Sequence, residues 1–308
     1  RPPQCLIFIR LVPSQGRRDK SKVVTMTASI LEGFSIEVMP RTLAKIDNLE
    51  ALLPPSTRVY LAHIEGVDFQ DMLAAAARLT KAGYQVMPHF PARLMKDVST
   101  LENWIQSYAG DAGISEALLL AGSPRAPQGT LSNSMQLLET GLFDKYHFKR
   151  FHVAGHPEGN KDIDAGTSGD PLGDALRWKQ AFSSQTSAEM AIVTQFSFSA
   201  AAVYEWAAAL KLAGISLPIH IGIAGPTKLQ TLIKFAISCG VGPSLKVLQK
   251  RAKDISKLLL PYEPVEIVSD LELMLKNDDK TNISKVHVFP LGGIQKSADW
   301  LSAQLQAA

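Results

Sequence analysis

The chain reads as an α/β protein of the (β/α)8, TIM-type barrel class, with extra helices between the seventh and eighth strands. Three observations carry that reading. From Phe34 onward, short apolar strands alternate with helical stretches, which implies right-handed crossovers and a parallel sheet. The strands number eight, the count that closes such a barrel. No Gly-x-Gly-x-x-Gly follows the first strand, where Pro40-Arg41-Thr42 stands instead, so a nucleotide site of the doubly wound kind is disfavoured. An open doubly wound sheet is the alternative architecture, because alternation alone does not prove closure.

The first strand, 34–39, puts Phe34, Ile36 and Val38 on one face and Glu37 on the other. Further strands are expected at 58–64, 84–90, 115–121, 149–155, 190–196, 218–223 and 284–289. Between them, 68–82 repeats Met72, Leu73, Ala76 and Leu79 at helical spacing and stops at Gly83, a helix C-terminal signal. Helices are also expected at 99–109 and at 199–213, the latter closed by Gly214. The stretch 227–283 is too long for one loop, and 232–237, 245–260 and 264–276 carry helical patterns. Gly292-Gly293 opens a helix after the last strand; amides freed there suit phosphate, and a simple tight turn is the equal alternative. No repeat or linker divides 26–308, which is expected to be one catalytic domain. Residues 1–25 read as a disordered N-terminal extension ahead of a start at Met26; an Arg-rich transit peptide is the competing reading.

With 308 residues, 46% of them apolar, the chain can bury a large core. No apolar run approaches the roughly 20 residues of a spanning helix, so no membrane partner and a cytoplasmic location are expected. Cys5 and Cys239 fit neither a metal spacing nor a disulfide framework, which suggests a reducing compartment, with Cys239 a small core residue. The net charge of +3 is concentrated in residues 1–25, which hold six basic side chains and one acid; the rest carries 26 basic and 28 acidic residues. Such a body has no global pull on nucleic acid.

Polar residues gather where strands end, as chemistry does in barrels: Glu37, His63, His89, Ser123, His156, Gln195, and His287 within the eighth strand. A single strand-end histidine is usually structural; convergence on one rim is the argument for a site. Glu37, buried without a cation, is expected to have a raised pKa and to hold a proton for general-acid work; an edge strand with Glu37 in water is the alternative. No metal site is expected, since His152 and His156 straddle a strand end and a Gly-His-Pro turn. Gly122-Ser123-Pro124 lacks the Gly-x-Ser-x-Gly of a nucleophile elbow. An organic cofactor is then the source of hard chemistry. The loop 155–162 suits its polar end, and Asp174, Arg177 and Lys179 suit ribose and phosphates; a solvated loop and an ordinary charged helix are the other reading.

These residues resemble the methylenetetrahydrofolate reductases, FAD-bearing (β/α)8 barrels, over roughly 33–292. The marks are Phe-Ser-Ile-Glu-Val-Met-Pro-Arg-Thr at 34–42, Pro88-His89, Val153-Ala154-Gly155 with Pro157, and Ile192-Val193-Thr194-Gln195-Phe196. The resemblance implies FAD across the C-terminal rim, reduced by NADH or NADPH, and hydride transfer to 5,10-methylenetetrahydrofolate to give 5-methyltetrahydrofolate, a step of one-carbon metabolism that feeds methionine biosynthesis. It makes Glu37 the acid that protonates the folate nitrogen, Gln195 the pterin contact and His89 a flavin contact. Asp174 and Lys179 take the ribose and phosphate of FAD; Gly155, His156 (usually tyrosine) and Asn160 (usually histidine) line the flavin site. Two departures stand out. The family's Leu-Arg-Gly-Asp reads Leu120-Ala121-Gly122-Ser123, so Ser123 faces pterin and flavin without a charge, and Ala62 replaces a frequent threonine. Methyltetrahydrofolate oxidation, another one-carbon substrate, or a non-catalytic folate-binding barrel are the competing functions. The expected partners are a reduced folate and a nicotinamide dinucleotide, with a homo-oligomer allowed.

Overall fold

The computed structural model describes residues 29–160, 163, 169–239, 261–276 and 278–307. In chain order the strands are β1 (Ser35–Val38), β2 (Arg58–Leu61), β3 (Gln85–Pro91), β4 (Glu116–Leu120), β5 (Arg150–Gly155), β6 (Glu189–Phe196), β7 (Ile219–Ala224), β8 (Thr227–Lys228), β9 (Pro261–Tyr262) and β10 (Ile283–Phe289). All but β8 and β9 join one closed parallel barrel, in which β10 pairs both with β7 and with β1. β8 and β9 make a separate antiparallel pair. The open-sheet alternative is thereby removed, as is a solvent-edge position for Glu37, since β1 is paired on both sides.

The helices are α1 (Pro40–Leu43), α2 (Phe69–Lys81), α3 (Val98–Asp111), α4 (Ser134–Glu139), α5 (Leu142–Lys145), α6 (Pro171–Phe182), α7 (Ala200–Leu212), α8 (Leu229–Ser238), α9 (Val265–Leu275) and α10 (Ile294–Ala307). Their starts follow from side chains that satisfy the free amides of the first turn. Asp68 accepts from Gln70 N at 2.7 Å, Asp97 from Thr100 N at 2.7 Å and Ser199 from Ala202 N at 3.2 Å. α4 and α5 were not foreseen; the signal was Asn133, whose side chain caps both Met135 N and Gln136 N. The expected helix at 245–260 and the extension at 1–25 lie outside the described residues. No described helix is long and apolar enough to cross a membrane.

Period two divides the barrel wall. Ile36, Val38, Val59, Leu61, Val86, Phe90, Phe151, Val153, Ile221 and Val288 face outward into the main apolar core under the helices. Inside, Tyr60, Met87, Leu118 and Val193 form a small apolar cluster with Leu120 beside it, and toward the C-terminal end Phe289 packs edge-on against His287. Much of the remaining axis is polar. At its N-terminal end, the first residues of five consecutive strands link up. Arg58 donates to Glu116 Oε2 at 2.7 Å and to Gln85 Oε1 at 2.6 Å. Arg150 donates to Glu116 Oε1 at 2.7 Å and also pairs with Glu189. Midway, Ser35 Oγ lies 2.9 Å from His287 Nδ1, Tyr60 shares a hydrogen bond with His152 Nδ1, and His152 meets His220 edge-on with centroids 4.8 Å apart.

Candidate functional site at the C-terminal mouth

β1 delivers Glu37 to the C-terminal end of the axis. Ile36 and Val38 are held in the outer core, so the residue between them must point inward. Its side chain is 22% exposed, enough to meet a ligand yet largely shielded. Glu37 Oε2 lies 3.2 Å from His89 Nε2, brought by β3, and 4.0 Å from His287 Nε2, brought by β10.

This arrangement overturns the expected titration. Burial alone pushes the Glu37 carboxyl up, but the neighbouring His89 imidazole, with His287 behind it, outweighs that and holds it below the ordinary glutamate value. The sequence reading missed this because the imidazole comes from a strand 52 residues away. Glu37 is therefore a carboxylate at neutral pH, a base and hydrogen-bond acceptor. To act as an acid it must first receive a proton, and His89 is the group placed to pass it. Burial drives His287 the other way, down to about 4, with Glu37 only partly opposing, so it stays a neutral imidazole at pH 7.

The sixth strand supplies the amide. β6 slips register against β7 between Val193 and Phe196. The slip needs Gly222, because a Cβ there would lie 2.4 Å from Thr194 O and 2.8 Å from Gln195 C. It brings Gln195 to a recess shared with His156, Glu158, Gly159, Phe196, Ser197 and Cys239. Ser197 Oγ donates to Glu158 Oε1 at 2.7 Å, which fastens the loop after β5 to the end of β6. Cys239, expected in the core, is instead exposed at this rim. Partial desolvation raises its thiol pKa; Ser238 opposes and the charge of Glu37 adds to the rise, which puts the end of α8 over the mouth.

The other predicted residues scatter. His63 turns outward: its Nε2 donates to Val67 O at 3.1 Å and its ring stacks on Trp104 of α3 at 4.8 Å, so it is structural and leaves the set. β2 ends at Leu61, not 64, which carries His63 off the strand. Gly155 is explained by packing, since a Cβ there would meet Ile192 Cγ2 at 2.6 Å and Trp206 of α7 at 3.0 Å. Ser123 is exposed in the loop after β4, and Asn160 is partly buried at the end of the described loop; Lys161 and Asp162 lie outside the described residues. Asp174 is bound to Arg177 at 2.6 Å on the solvent side of α6. Lys179 is buried on another face, where burial pulls its ammonium down to about 8. The two side chains thus lie on different faces of α6. His152 and His156 also part, the first on the axis and the second at the rim; among the described residues no group of three or more potential metal ligands occurs.

The structure defines an α/β barrel whose C-terminal mouth carries a carboxylate–imidazole pair with an amide nearby. No known family model matches the chain. Among solved structures, it is similar to a protein from Clostridium thermocellum described as binding two copies of 5-methyl-5,6,7,8-tetrahydrofolic acid. That match has 12% identity and a TM-score of 0.54, covering 91% of this chain and 98% of that one. A second similar structure is the carboxyl transferase domain of Rhizobium etli pyruvate carboxylase with 3-bromopyruvate, at 10% identity and a TM-score of 0.43, covering 89% of this chain and 46% of that one. At such identity the first likeness establishes the shared fold.

Proposed function

We propose that the chain binds a reduced folate at its C-terminal mouth and acts in one-carbon metabolism. The observation that carries this is Glu37 held 3.2 Å from His89 with Gln195 on the same rim. These are the positions at which the resemblance to methylenetetrahydrofolate reductases puts the acid, the flavin contact and the pterin contact. An ionised carboxylate and a primary amide suit the adjacent N–H donors and carbonyl of a pterin ring. The methyltetrahydrofolate bound by the Clostridium thermocellum barrel supports the same ligand class.

The fuller form of the proposal is reduction of 5,10-methylenetetrahydrofolate to 5-methyltetrahydrofolate with FAD and NADH or NADPH. Bound FAD would supply the hydride; His89 and His156 would border it. In this reading Glu37 holds and delivers the proton that the folate nitrogen takes up, resupplied through His89. The described residues fit FAD only in part. Ser123 is exposed, Asp174 is engaged by Arg177, and Lys179 is buried away from Asp174. That partial fit favours a second reading, a barrel that binds folate without flavin. Two measurements on the purified full chain separate them. Saturable binding of 5-methyltetrahydrofolate by calorimetry supports the ligand class, and its absence rejects it. A flavin band at about 450 nm after FAD is added and excess removed supports the reductase; a colourless protein that still binds folate supports the second reading.

A further inference from the structure

A cavity lies at the opposite end of the barrel. It has a volume of about 1060 Å³ and is lined by Arg58, Arg150, His220 and Lys285 together with Ser284 and Gly33. The first four belong to the N-terminal halves of β2, β5, β7 and β10. Two of the cations are already matched, since Arg58 and Arg150 share Glu116, and Arg150 also holds Glu189. Two groups are not. Lys285 has no carboxylate within ion-pair distance among the described residues, and its Nζ lies 3.4 Å from where a Gly33 Cβ would sit. His220 is 94% buried, and its Nδ1 has no hydrogen-bond partner. A buried polar atom without a partner is uncommon, and a water or a ligand group completes it.

The field at this spot is positive. Burial lowers the pKa of Lys285, and the charges of Arg58 and Arg150 lower it further. Burial likewise lowers His220, to about 3, and Lys285, Arg58 and Arg150 add to the fall. Both groups therefore sense uncompensated cations in spite of Glu116 and Glu189. An anion placed between them would relieve that repulsion and accept from the Lys285 ammonium and from the His220 ring, which lines the cavity.

We propose that this N-terminal mouth is a second binding site, which takes a small phosphorylated molecule with its oxyanion between Lys285 and His220. The cavity is far larger than a phosphate group, so the remainder of the ligand lies along the wall formed by Ser284 and Gly33. This site is independent of the folate reading of the other mouth.

Inorganic phosphate is the probe. The thermal midpoint of the full chain is followed as phosphate is raised at an ionic strength held constant with chloride. A ligand that binds only the folded state raises the midpoint saturably. Lys285→Met and His220→Gln are expected to weaken the apparent affinity at least tenfold and several-fold. Ser284→Asp, which adds a carboxylate at the cavity wall, is expected to abolish the response. Lys96→Met, which removes an exposed cation in the loop after β3, should leave it unchanged. Absence of a saturable shift, or equal shifts in wild type and both Lys285→Met and Ser284→Asp, overturns the site. An equal response to malonate overturns the phosphate assignment. Should Lys285→Met not fold, Ser284→Asp and His220→Gln decide the question.

Discussion

Moderate acid should loosen this barrel well before its carboxylates titrate, because imidazoles on the axis are folded in their neutral form. His287 falls from an ordinary 6.5 to about 4, and His220 from 6.5 to about 3. The sign follows from proton counting. Above pH 6.5 neither state binds these protons and the groups contribute nothing. Below it the unfolded chain takes them up while the native state refuses them, so stability is lost as pH falls from 6.5 towards 4 and 3. Between pH 7.5 and 5.0 the loss is about 2 kcal/mol for each ring, by linkage from those two shifts. The pair loses close to 4 kcal/mol, a little less for the repulsion that they share. Against a typical total of roughly 5–15 kcal/mol this is large. Urea unfolding at the two pH values measures it directly. His152, whose pKa burial also holds well below 6.5, adds to the deficit, and His220→Gln, which removes one titrating ring, should lower it by about 2 kcal/mol. A wild-type loss below about 1 kcal/mol, or a His220→Gln protein with an undiminished deficit, would refute the reasoning.

Other outcomes follow from the same coordinates. Under the proposed reductase reading, Glu37→Gln should leave flavin reduction by the nicotinamide largely intact while slowing folate reduction by about 100-fold or more, the usual scale of a lost proton donor; equal loss in both half-reactions, read by stopped-flow absorbance, would remove the acid assignment. Gly155→Ala forces a methyl group against Ile192 and Trp206. It should lower stability by about 1–3 kcal/mol in denaturant melts, with folate affinity retained.

Much of the scaffold was legible because a two-sided sheet writes itself as short apolar runs, and each barrel strand falls within about three residues of its expected ends. Glu37 was legible for the same reason, as an acid between two outward-facing aliphatics. Its partner was not, since nothing local links residue 37 to residue 89. Asp174 and Lys179 lie on different faces of their helix for a reason the sequence contained. Five residues on a helix turn through roughly 140° relative to one another, so the two diverge on α6. The polar axis was missed because an inward-facing His152 or His220 looks like any residue of a buried strand until closure tells inside from outside. Ser35, Tyr60, His152 and His220 could have been singled out only as polar or aromatic positions in phase with Glu37.

The links among Arg58, Gln85, Glu116, Arg150 and Glu189 bind the starting residues of β2 to β6 like the hoop of a cask. Glu116 is its clasp, gripping both guanidinium groups. Loss of that one carboxylate would strand Arg58 without an ion-pair partner and leave Arg150 to Glu189 alone, a far heavier penalty than removing an isolated surface charge. With the staves tied below, the upper rim is left free to vary, so substitutions around the Gln195 recess can change what is bound there without loosening the vessel.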